Sequence, residues 1–270
     1  MRVDEHTIEV AGAPVFYRSA GASGTPALYL HGIPTSSDDF LPFLERSGGI
    51  APDLIGFGRS TKAGNLEYTL ESQADFVQEL LGALELDRVQ LVVHDWGVAG
   101  GLIFAQRHPE RIERLVVCNA LPLLEGFSWR RYGLGRLWRR PIFGELAMGS
   151  VNRWLLARTL RQGSVSADAW SPERLDAVWA QFDQGTQRAI LRLHRDGGEP
   201  QLAAAGAELE QLRMPSLVIW GEADPWFGPA YGEAYAARLG NAELRRIPDA
   251  GHWPWLDQPS VIELVAAFLG

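Results

Sequence analysis

Residues 89–101 constrain the fold of this chain more than any other segment does. They begin as an apolar run, pass through the polar pair His94 and Asp95, and continue as a segment rich in glycine and alanine. The apolar run predicts a buried strand, and the small residues predict a helix that packs closely against it. The chain must turn sharply between the two, which places the side chain of Asp95 at the apex. Strand-turn-helix units of this kind present a nucleophile at the apex, usually a serine.

An aspartate at the apex supports different chemistry from a serine. With an unperturbed pKa of about 3.9, Asp95 is ionised at neutral pH and needs no base to act as a nucleophile. A carboxylate displaces a leaving group from saturated carbon, whereas an activated serine is suited to acyl carbons. The displacement leaves an ester whose carbonyl belongs to Asp95. A histidine and a water molecule are then needed to hydrolyse that ester.

Composition and charge set limits on compartment and partners. The 270-residue chain has a net charge of −8, which argues against a nucleic-acid partner. Its first residues lack the apolar stretch of a signal peptide, and no apolar run approaches the ~18 residues of a membrane span. The single cysteine, Cys118, excludes an intrachain disulfide. We therefore expect a cytoplasmic protein with no membrane association, and the sequence does not indicate an oligomeric state.

Apolar runs alternate with helical patterns along most of the chain. This alternation predicts an α/β fold with a mostly parallel, doubly wound sheet, in which ligands bind beyond the carboxyl ends of the strands. The predicted strands are His6–Val10, Val15–Ser19, Ala27–His31, Arg88–Val93, Arg114–Cys118, Ser216–Trp220 and Glu243–Ile247. The predicted helices between the later strands are Leu70–Leu84, Val98–His108, Pro229–Leu239 and Pro259–Phe268.

The alternation breaks between residues 124 and 200. This segment has helically spaced Leu, Trp and Arg, and Ser171 followed by Pro172 predicts the start of one of its helices. Twelve arginines against eight acidic residues give it a net charge of +4 and leave −12 for the rest of the chain. We expect these arginines to lie on solvated helix faces. We interpret residues 124–200 as a helical cap inserted into a catalytic domain formed by residues 1–123 and 201–270.

Three loops at predicted strand ends supply groups that fit nucleophilic catalysis. In the first loop the backbone N–H of Ile33 can point inward, and with the N–H of Trp96 it would form an oxyanion hole. The second loop carries Asp224 and the third carries His252. In this scheme His252 is the base for water, and Asp224 fixes its tautomer and stabilises the imidazolium. Alone, Asp95 could cap a helix and Asp224 could start a turn, but together the three residues favour catalysis.

The chain offers no pattern typical of a metal site. Its histidines share no metal-ligand spacing, and there is no cluster of Cys and His residues. We therefore expect neither a metal nor an organic cofactor.

The motifs around these residues resemble those of haloalkane dehalogenases and of the related epoxide hydrolases. The similar segments are residues 31–37, 53–60, 92–97 and 249–252. The resemblance covers the whole catalytic domain and only loosely the cap. It implies an α/β-hydrolase fold, the chain order nucleophile, acid and histidine, and a small apolar organic substrate.

The resemblance also implies a halide-binding role for Trp96, whose indole N–H would donate to the departing halide. Many dehalogenases have an asparagine donor where this chain has Ile33, so a second donor must come from the cap. The cap tryptophans are Trp129, Trp138, Trp154, Trp170 and Trp179. Of these we select Trp154. Asn119 occupies the position at which another subgroup carries its acid, which leaves Asp224 as the acid here.

An epoxide hydrolase is the alternative. Members of that group protonate the leaving alkoxide with a pair of cap tyrosines, and this cap has only Tyr132. Residues 191–196 resemble the cap segment that carries one of those tyrosines, with His194 at the tyrosine position. Residues 34–37 are closer to the dehalogenases and favour a halide leaving group. Two further alternatives are a non-catalytic, ligand-sensing protein of this fold and a serine-type esterase whose nucleophile has been replaced.

Overall fold

A sheet of eight strands forms the centre of the molecule in the computed structural model, which describes residues 1–270. The strands are β1 (Asp4–Val10), β2 (Ala13–Ala20), β3 (Ala27–Leu30), β4 (Gly49–Pro52), β5 (Val89–Asp95), β6 (Ile112–Ala120), β7 (Ser216–Gly221) and β8 (Ala242–Ile247). Their order across the sheet is β1-β2-β4-β3-β5-β6-β7-β8. Only β2 runs antiparallel to its neighbours, so the predicted mostly parallel sheet is confirmed.

The strand order places the carboxyl ends of β3 and β5 side by side. β4 lies on one side of β3 and β5 on the other, so the direction in which the chain crosses the sheet reverses there. A crevice opens beyond the strand ends at a reversal of this kind. β3 and β5 pair in parallel, with Leu30 opposite Val93. The loop that carries Ile33 therefore leaves the sheet next to Asp95.

Twelve α-helices surround the sheet. They are α1 (Leu41–Ser47), α2 (Leu70–Ala83), α3 (Gly97–Arg107), α4 (Gly133–Trp138), α5 (Phe143–Gly149), α6 (Arg153–Gln162), α7 (Pro172–Gln181), α8 (Gln184–Asp196), α9 (Glu199–Ala205), α10 (Pro229–Arg238), α11 (Pro254–Asp257) and α12 (Ser260–Leu269). α3 packs on β3, β5 and β6, α10 packs on β7 and β8, and α1 packs on α12. None of the twelve is both long and apolar enough to cross a membrane.

The predicted strands and helices of the sheet domain are confirmed, with ends that agree within about two residues. β4, α1 and the four-residue helix α11 were not predicted. β4 has only four residues, and both glycine and proline interrupt a strand pattern. Gly49 has φ +113°, and a Cβ atom there would lie 2.4 Å from the carbonyl oxygen of Ala27. Pairing with β2 and β3, and not the local sequence, makes this segment a strand.

Between β6 and β7 the chain forms the six helices α4 to α9. The Ser171 hydroxyl accepts a hydrogen bond from the N–H of Arg174, which confirms the predicted start of α7. Arg188 on α8 donates to the carbonyl of Lys62 at 2.6 Å and so joins this helical segment to the sheet domain. Residue 200 falls within α9. The division into residues 1–123 with 201–270 and a cap of residues 124–200 stays a prediction.

Candidate active site

Asp95 is the last residue of β5 and lies at a tightly constrained turn. Its φ angle of +47° is one that side-chain-bearing residues seldom adopt. Two glycines make room for the turn. A Cβ atom on Gly32 would lie 2.4 Å from the Cβ of Asp95, and one on Gly97 would lie 2.2 Å from the carbonyl oxygen of Leu30. The strained backbone aims the buried carboxylate into the crevice between β3 and β5.

Two backbone amides face this carboxylate. The N–H of Ile33 donates to Oδ2 of Asp95 at 2.9 Å, and the N–H of Trp96 lies near enough to lower the pKa of the carboxyl group. Burial raises the pKa of Asp95 to about 6, while the neighbouring His252 and the two amides oppose that rise. The group is therefore ionised at neutral pH. The structure brings Ile33 and Trp96 together at Asp95, where their amides can stabilise an oxyanion as well as a carboxylate.

His252 lies between two carboxylates. Its Nδ1–H donates to Oδ2 of Asp224 at 2.8 Å, and its Nε2 is 3.7 Å from Oδ1 of Asp95. Burial works to lower the pKa of His252, but the charge and hydrogen bond of Asp224, with the charge of Asp95, raise it above its ordinary value. Nε2 is thus oriented toward the Asp95 carboxylate. In this position it can take a proton from a water that attacks an Asp95 ester.

Asp224 is buried and accepts a full set of hydrogen bonds. The backbone N–H groups of Trp226 and Phe227 donate to Oδ1 at 2.8 and 3.0 Å. The side-chain amide of Asn119 donates to Oδ2 at 2.8 Å, beside the bond from His252. These donors stabilise the ionised carboxylate. From the sequence, Asn119 was noted only as standing where another subgroup carries its acid. Its hydrogen bond to the Asp224 carboxylate was missed.

His94 and Gly163 fix the backbone of the histidine loop. The Nε2–H of His94 donates to the carbonyl of His252 at 2.8 Å, and the N–H of His252 donates to the carbonyl of Gly163 at 2.6 Å. Burial lowers the pKa of His94 well below its usual range, so its ring is neutral. Sequence reasoning assigned His94 no role beyond the motif, although its position directly before Asp95 is a signal. Gly163 carries no local signal, because its contribution is a backbone carbonyl.

The side chain of Trp96 forms one wall of the site. Its ring stacks on that of Trp129, with centroids 6.2 Å apart, and it contacts the ring of His194 at 4.6 Å. The indole N–H of Trp96 makes no hydrogen bond within the protein, whereas that of Trp129 donates to the carbonyl of Gly197 at 2.7 Å. Trp96 therefore has a free donor next to Asp95. Its role as a donor to a leaving group stays a prediction.

His194 is close to Trp96 but cannot act as the expected proton donor. Its Nδ1–H donates to the carbonyl of Ile190 at 2.8 Å, one helical turn back along α8. Burial lowers the pKa of His194 to about 3, so the ring is neutral at physiological pH. A neutral ring has one proton, and Nδ1 carries it, which leaves Nε2 as a bare acceptor. We therefore correct the expectation that His194 donates to a leaving group.

Trp154 is not part of the site. It lies on α6 with 66% of its surface exposed, and Arg158 stands over its ring. α6 buries Leu156, Ala157 and Leu160 on its inner face, so Trp154 projects from the opposite side. A donor in this position cannot reach a halide beside Trp96, which corrects our selection. Spacing on an amphipathic helix did not distinguish a buried tryptophan from an exposed one.

Tyr132 reaches the edge of the site and has an unexpected partner. Its hydroxyl donates to the hydroxyl of Tyr231 on α10 at 3.3 Å. The Tyr132 ring lies 5.7 Å from the ring of Phe227, which lies 5.8 Å from that of His252. Burial raises the pKa of Tyr132, so the hydroxyl keeps its proton. The two tyrosines form a hydroxyl pair, one from the helical segment and one from the sheet domain.

Comparisons with known proteins agree with this geometry. The family model described as the alpha/beta hydrolase fold matches residues 25–259. A haloalkane dehalogenase of Mesorhizobium japonicum is 30% identical over 94% of this chain and 87% of its own. Epoxide hydrolase 3 of Mus musculus is 24% identical over 94% of this chain and 72% of its own.

The solved structures give the same result for the fold. A haloalkane dehalogenase from Bradyrhizobium elkani superposes with a TM-score of 0.84 at 26% identity, over 99% of this chain and 98% of that one. The match extends through α4 to α9 as well as through the sheet. The chain therefore belongs to the α/β-hydrolase family, in its haloalkane dehalogenase and epoxide hydrolase group, and it is a hydrolase.

Proposed function

We propose that this hydrolase cleaves the carbon–halogen bond of small apolar haloalkanes and yields an alcohol and a halide. The observation that carries the proposal is the setting of Asp95. One of its carboxylate oxygens accepts the backbone N–H of Ile33, and the other is 3.7 Å from Nε2 of a histidine paired with an acid. A carboxylate in that setting attacks saturated carbon, and the histidine serves the hydrolysis that follows.

In the first step, a carboxylate oxygen of Asp95 forms a bond to the carbon of the substrate. The carbon–halogen bond breaks at the same time, and the halide leaves with the bonding electrons. The free indole N–H of Trp96 donates to the halide as its charge develops. The aromatic rings of Phe127, Trp129 and Phe227 pack together and support an apolar binding site. No proton is transferred in this step.

In the second step, Nε2 of His252 takes a proton from water, and the resulting hydroxide attacks the ester carbonyl of Asp95. The negative charge that forms on the carbonyl oxygen is stabilised by the N–H groups of Ile33 and Trp96. Asp224 stabilises the imidazolium. The alcohol then leaves with the proton from His252, and the carboxylic acid that remains at Asp95 releases the second proton of the water to solvent and so returns to its carboxylate form.

Trp138 is the cap tryptophan best suited to supply the second halide donor. Its ring meets that of His194 edge-on at 4.9 Å, and His194 contacts Trp96. Its indole N–H makes no hydrogen bond within the protein, whereas the N–H of Trp170 is bonded to Ser164. Replacing Trp138 with phenylalanine should weaken halide binding and leave the hydrolysis of a preformed ester unchanged.

An assay of product type tests the proposal. Purified protein is given separate panels of chloro-, bromo- and iodoalkanes and of epoxides, and halide, alcohol and diol are measured. Asp95→Asn is the matched control for activity from contaminants. We expect equal amounts of halide and alcohol from at least one haloalkane. Absence of every product would favour the non-catalytic alternative.

Epoxide hydrolysis is the second candidate, and the Tyr132–Tyr231 hydroxyl pair favours it. A protonated tyrosine can donate to the alkoxide that leaves when Asp95 opens an epoxide, and a neighbouring hydroxyl can support that donation. Formation of diol without halide would reverse our ranking. In that case Tyr132→Phe and Tyr231→Phe should each slow ring opening more than ester hydrolysis.

A further inference from the structure

A third buried carboxyl group acts on His252 through its charge, and the mechanism above does not use it. Asp39 sits in the short helical turn Ser37–Phe40 and is only 4% exposed. Burying a carboxyl group costs free energy of folding unless both of its oxygens are hydrogen-bonded. Both hydrogen bonds of the Asp39 side chain go to one oxygen, Oδ2. Burial raises the pKa of Asp39 to about 7. A buried carboxyl group in this setting does not stabilise the fold, so stability does not explain its presence.

One of these hydrogen bonds leads to the oxyanion hole. The hydroxyl oxygen of Thr35 is 2.6 Å from Oδ2 of Asp39 and 3.2 Å from the carbonyl oxygen of Gly32. A hydroxyl has one proton and can donate fully to only one of the two. The Gly32 carbonyl belongs to the same peptide group as the N–H of Ile33, which bonds Asp95. That carbonyl also accepts the Nδ1–H of His31 at 2.6 Å, and a second hydrogen bond, from Thr35, polarises the peptide further and strengthens its N–H as a donor.

The other hydrogen bond leads to the catalytic histidine. The indole N–H of Trp253 donates to Oδ2 of Asp39 at 3.3 Å, and Trp253 directly follows His252 in the chain. The negative charge of Asp39 also contributes to the raised pKa of His252. The charged groups that act on Asp39 itself are Arg174 on α7, which lowers its pKa, and Asp38, which raises it. Asp39 thus connects the loop of Ile33 with the loop of His252.

We propose that Asp39 is a positioning residue for hydrolysis of the Asp95 ester, which it controls through the Thr35 hydroxyl and through the Trp253 indole. This role rests on the proposed two-step function. When Asp39 is ionised, Thr35 donates to it and the carboxylate stabilises the His252 imidazolium. When Asp39 is protonated, its O–H donates to Thr35, and the Thr35 hydroxyl turns to the Gly32 carbonyl. The two arrangements differ by one proton, which Asp39 exchanges with solvent.

The test measures the two chemical steps separately in wild type, Asp39→Asn and the control Asp38→Asn. Asp38 is the adjacent carboxylate, but it pairs with Arg18 and Arg59 and contacts neither Thr35 nor Trp253. Rapid mixing with excess enzyme gives the rate of halide release and the rate of alcohol formation at each pH. We expect Asp39→Asn to slow alcohol formation by roughly tenfold or more and to affect halide release less. Loss of the negative charge should also move the acidic limb of alcohol formation to lower pH, because the pKa of His252 falls.

Thr35→Val provides a second variant that keeps the carboxyl group and removes the link to Gly32. Thr35→Val should slow alcohol formation as well. This variant still tests the proposal if Asp39→Asn does not fold. If wild type forms and hydrolyses the ester while both variants match its rates and pH profile, the role of Asp39 is overturned and the proposed function is untouched. If wild type forms no ester at all, the proposed function fails, and this role fails with it.

Discussion

At the scale of single residues, the proposed chemistry depends on the carboxylate of Asp95. The same turn position is usually occupied by a serine, which carries a hydroxyl. Burial raises the pKa of Asp95, yet the N–H groups of Ile33 and Trp96 and the nearby His252 keep the group ionised at neutral pH. In the proposed mechanism, the same backbone amides also stabilise the tetrahedral intermediate of the Asp95 ester. Holding a charge in a buried site has a cost in stability, and that cost can be measured.

Asp95→Asn should abolish turnover and stabilise the fold. The amide keeps the shape of the side chain but is not a nucleophile, so turnover should fall by several orders of magnitude. Because the pKa of Asp95 is about 6 when folded, the native state binds more protons than the unfolded chain between about pH 4 and pH 6. Stability from this group is therefore present at low pH and is lost as pH rises through that window.

Urea unfolding of wild type and Asp95→Asn at several pH values checks the predicted gain in stability. Above about pH 6 the variant should be more stable than wild type by about 1–3 kcal/mol, and near pH 4 the two should match. Intact mass excludes deamidation back to aspartate. Near-normal activity in the intact amide variant, or a wild type that is more stable at neutral pH, would contradict the account.

Trp96→Phe should separate the two chemical steps. Phenylalanine keeps the apolar contact with Trp129 and His194 but removes the indole donor. The developing halide would lose a hydrogen bond worth roughly 1.5–3 kcal/mol, so halide release should slow far more than ester hydrolysis. Trp179→Phe is a matched control, because the Trp179 ring packs on that of Phe182 and makes no ring contact with Trp96 or His252. Equal slowing of both steps would count against a leaving-group role.

At the scale of elements, the ends of five neighbouring strands build the site. β3 leads to Ile33, β5 ends at Asp95, β6 carries Asn119 just before its last residue, β7 leads to Asp224, and β8 leads to His252. Parallel pairing brings these ends to one edge of the sheet. This is why the sequence alone located the main loops. The apolar runs identify the strands, and the polar residues that follow each run identify the site.

The rest of the site could not be predicted in this way because it depends on contacts between distant segments. Gly163 contributes only its carbonyl to His252, and no side-chain pattern marks that contribution. The exposure of Trp154 and the tautomer of His194 depend on how α6 and α8 pack. The partner of Tyr132 lies on α10, about a hundred residues along the chain. Cap residues were therefore the least predictable part.

Asn119→Ala tests whether Asn119, at the end of β6, positions Asp224, which follows β7. The Asn119 amide donates to Asp224, and its oxygen accepts the N–H of Gly221 at 2.8 Å. Alanine would leave that buried N–H unpaired and remove one donor from the acid, at a cost of about 1–3 kcal/mol in unfolding free energy. Alcohol formation should slow while halide release changes little, since His252 acts only in the second step. Unchanged stability and unchanged alcohol formation would exclude this supporting role.

At the scale of the whole molecule, the central claim is that the chain carries out two reactions in sequence at one carboxylate. The sheet domain supplies Asp95, Asp224 and His252, and the segment between β6 and β7 covers them with aromatic rings. An ionised carboxylate attacks without a base, so the histidine is needed only after the covalent bond has formed. A serine-type mechanism would need its histidine in both steps.

The most direct measurement is the mass of His252→Phe after exposure to a small bromoalkane. The account predicts one equivalent of bromide and a single adduct, in which the alkyl group replaces one proton and no bromine is retained. Peptide mapping should place the adduct between Leu91 and Gly101, on Asp95. A folded His252→Phe protein that binds the bromoalkane, stays unmodified and releases no bromide, although the wild type turns the compound over, would contradict the two-step mechanism.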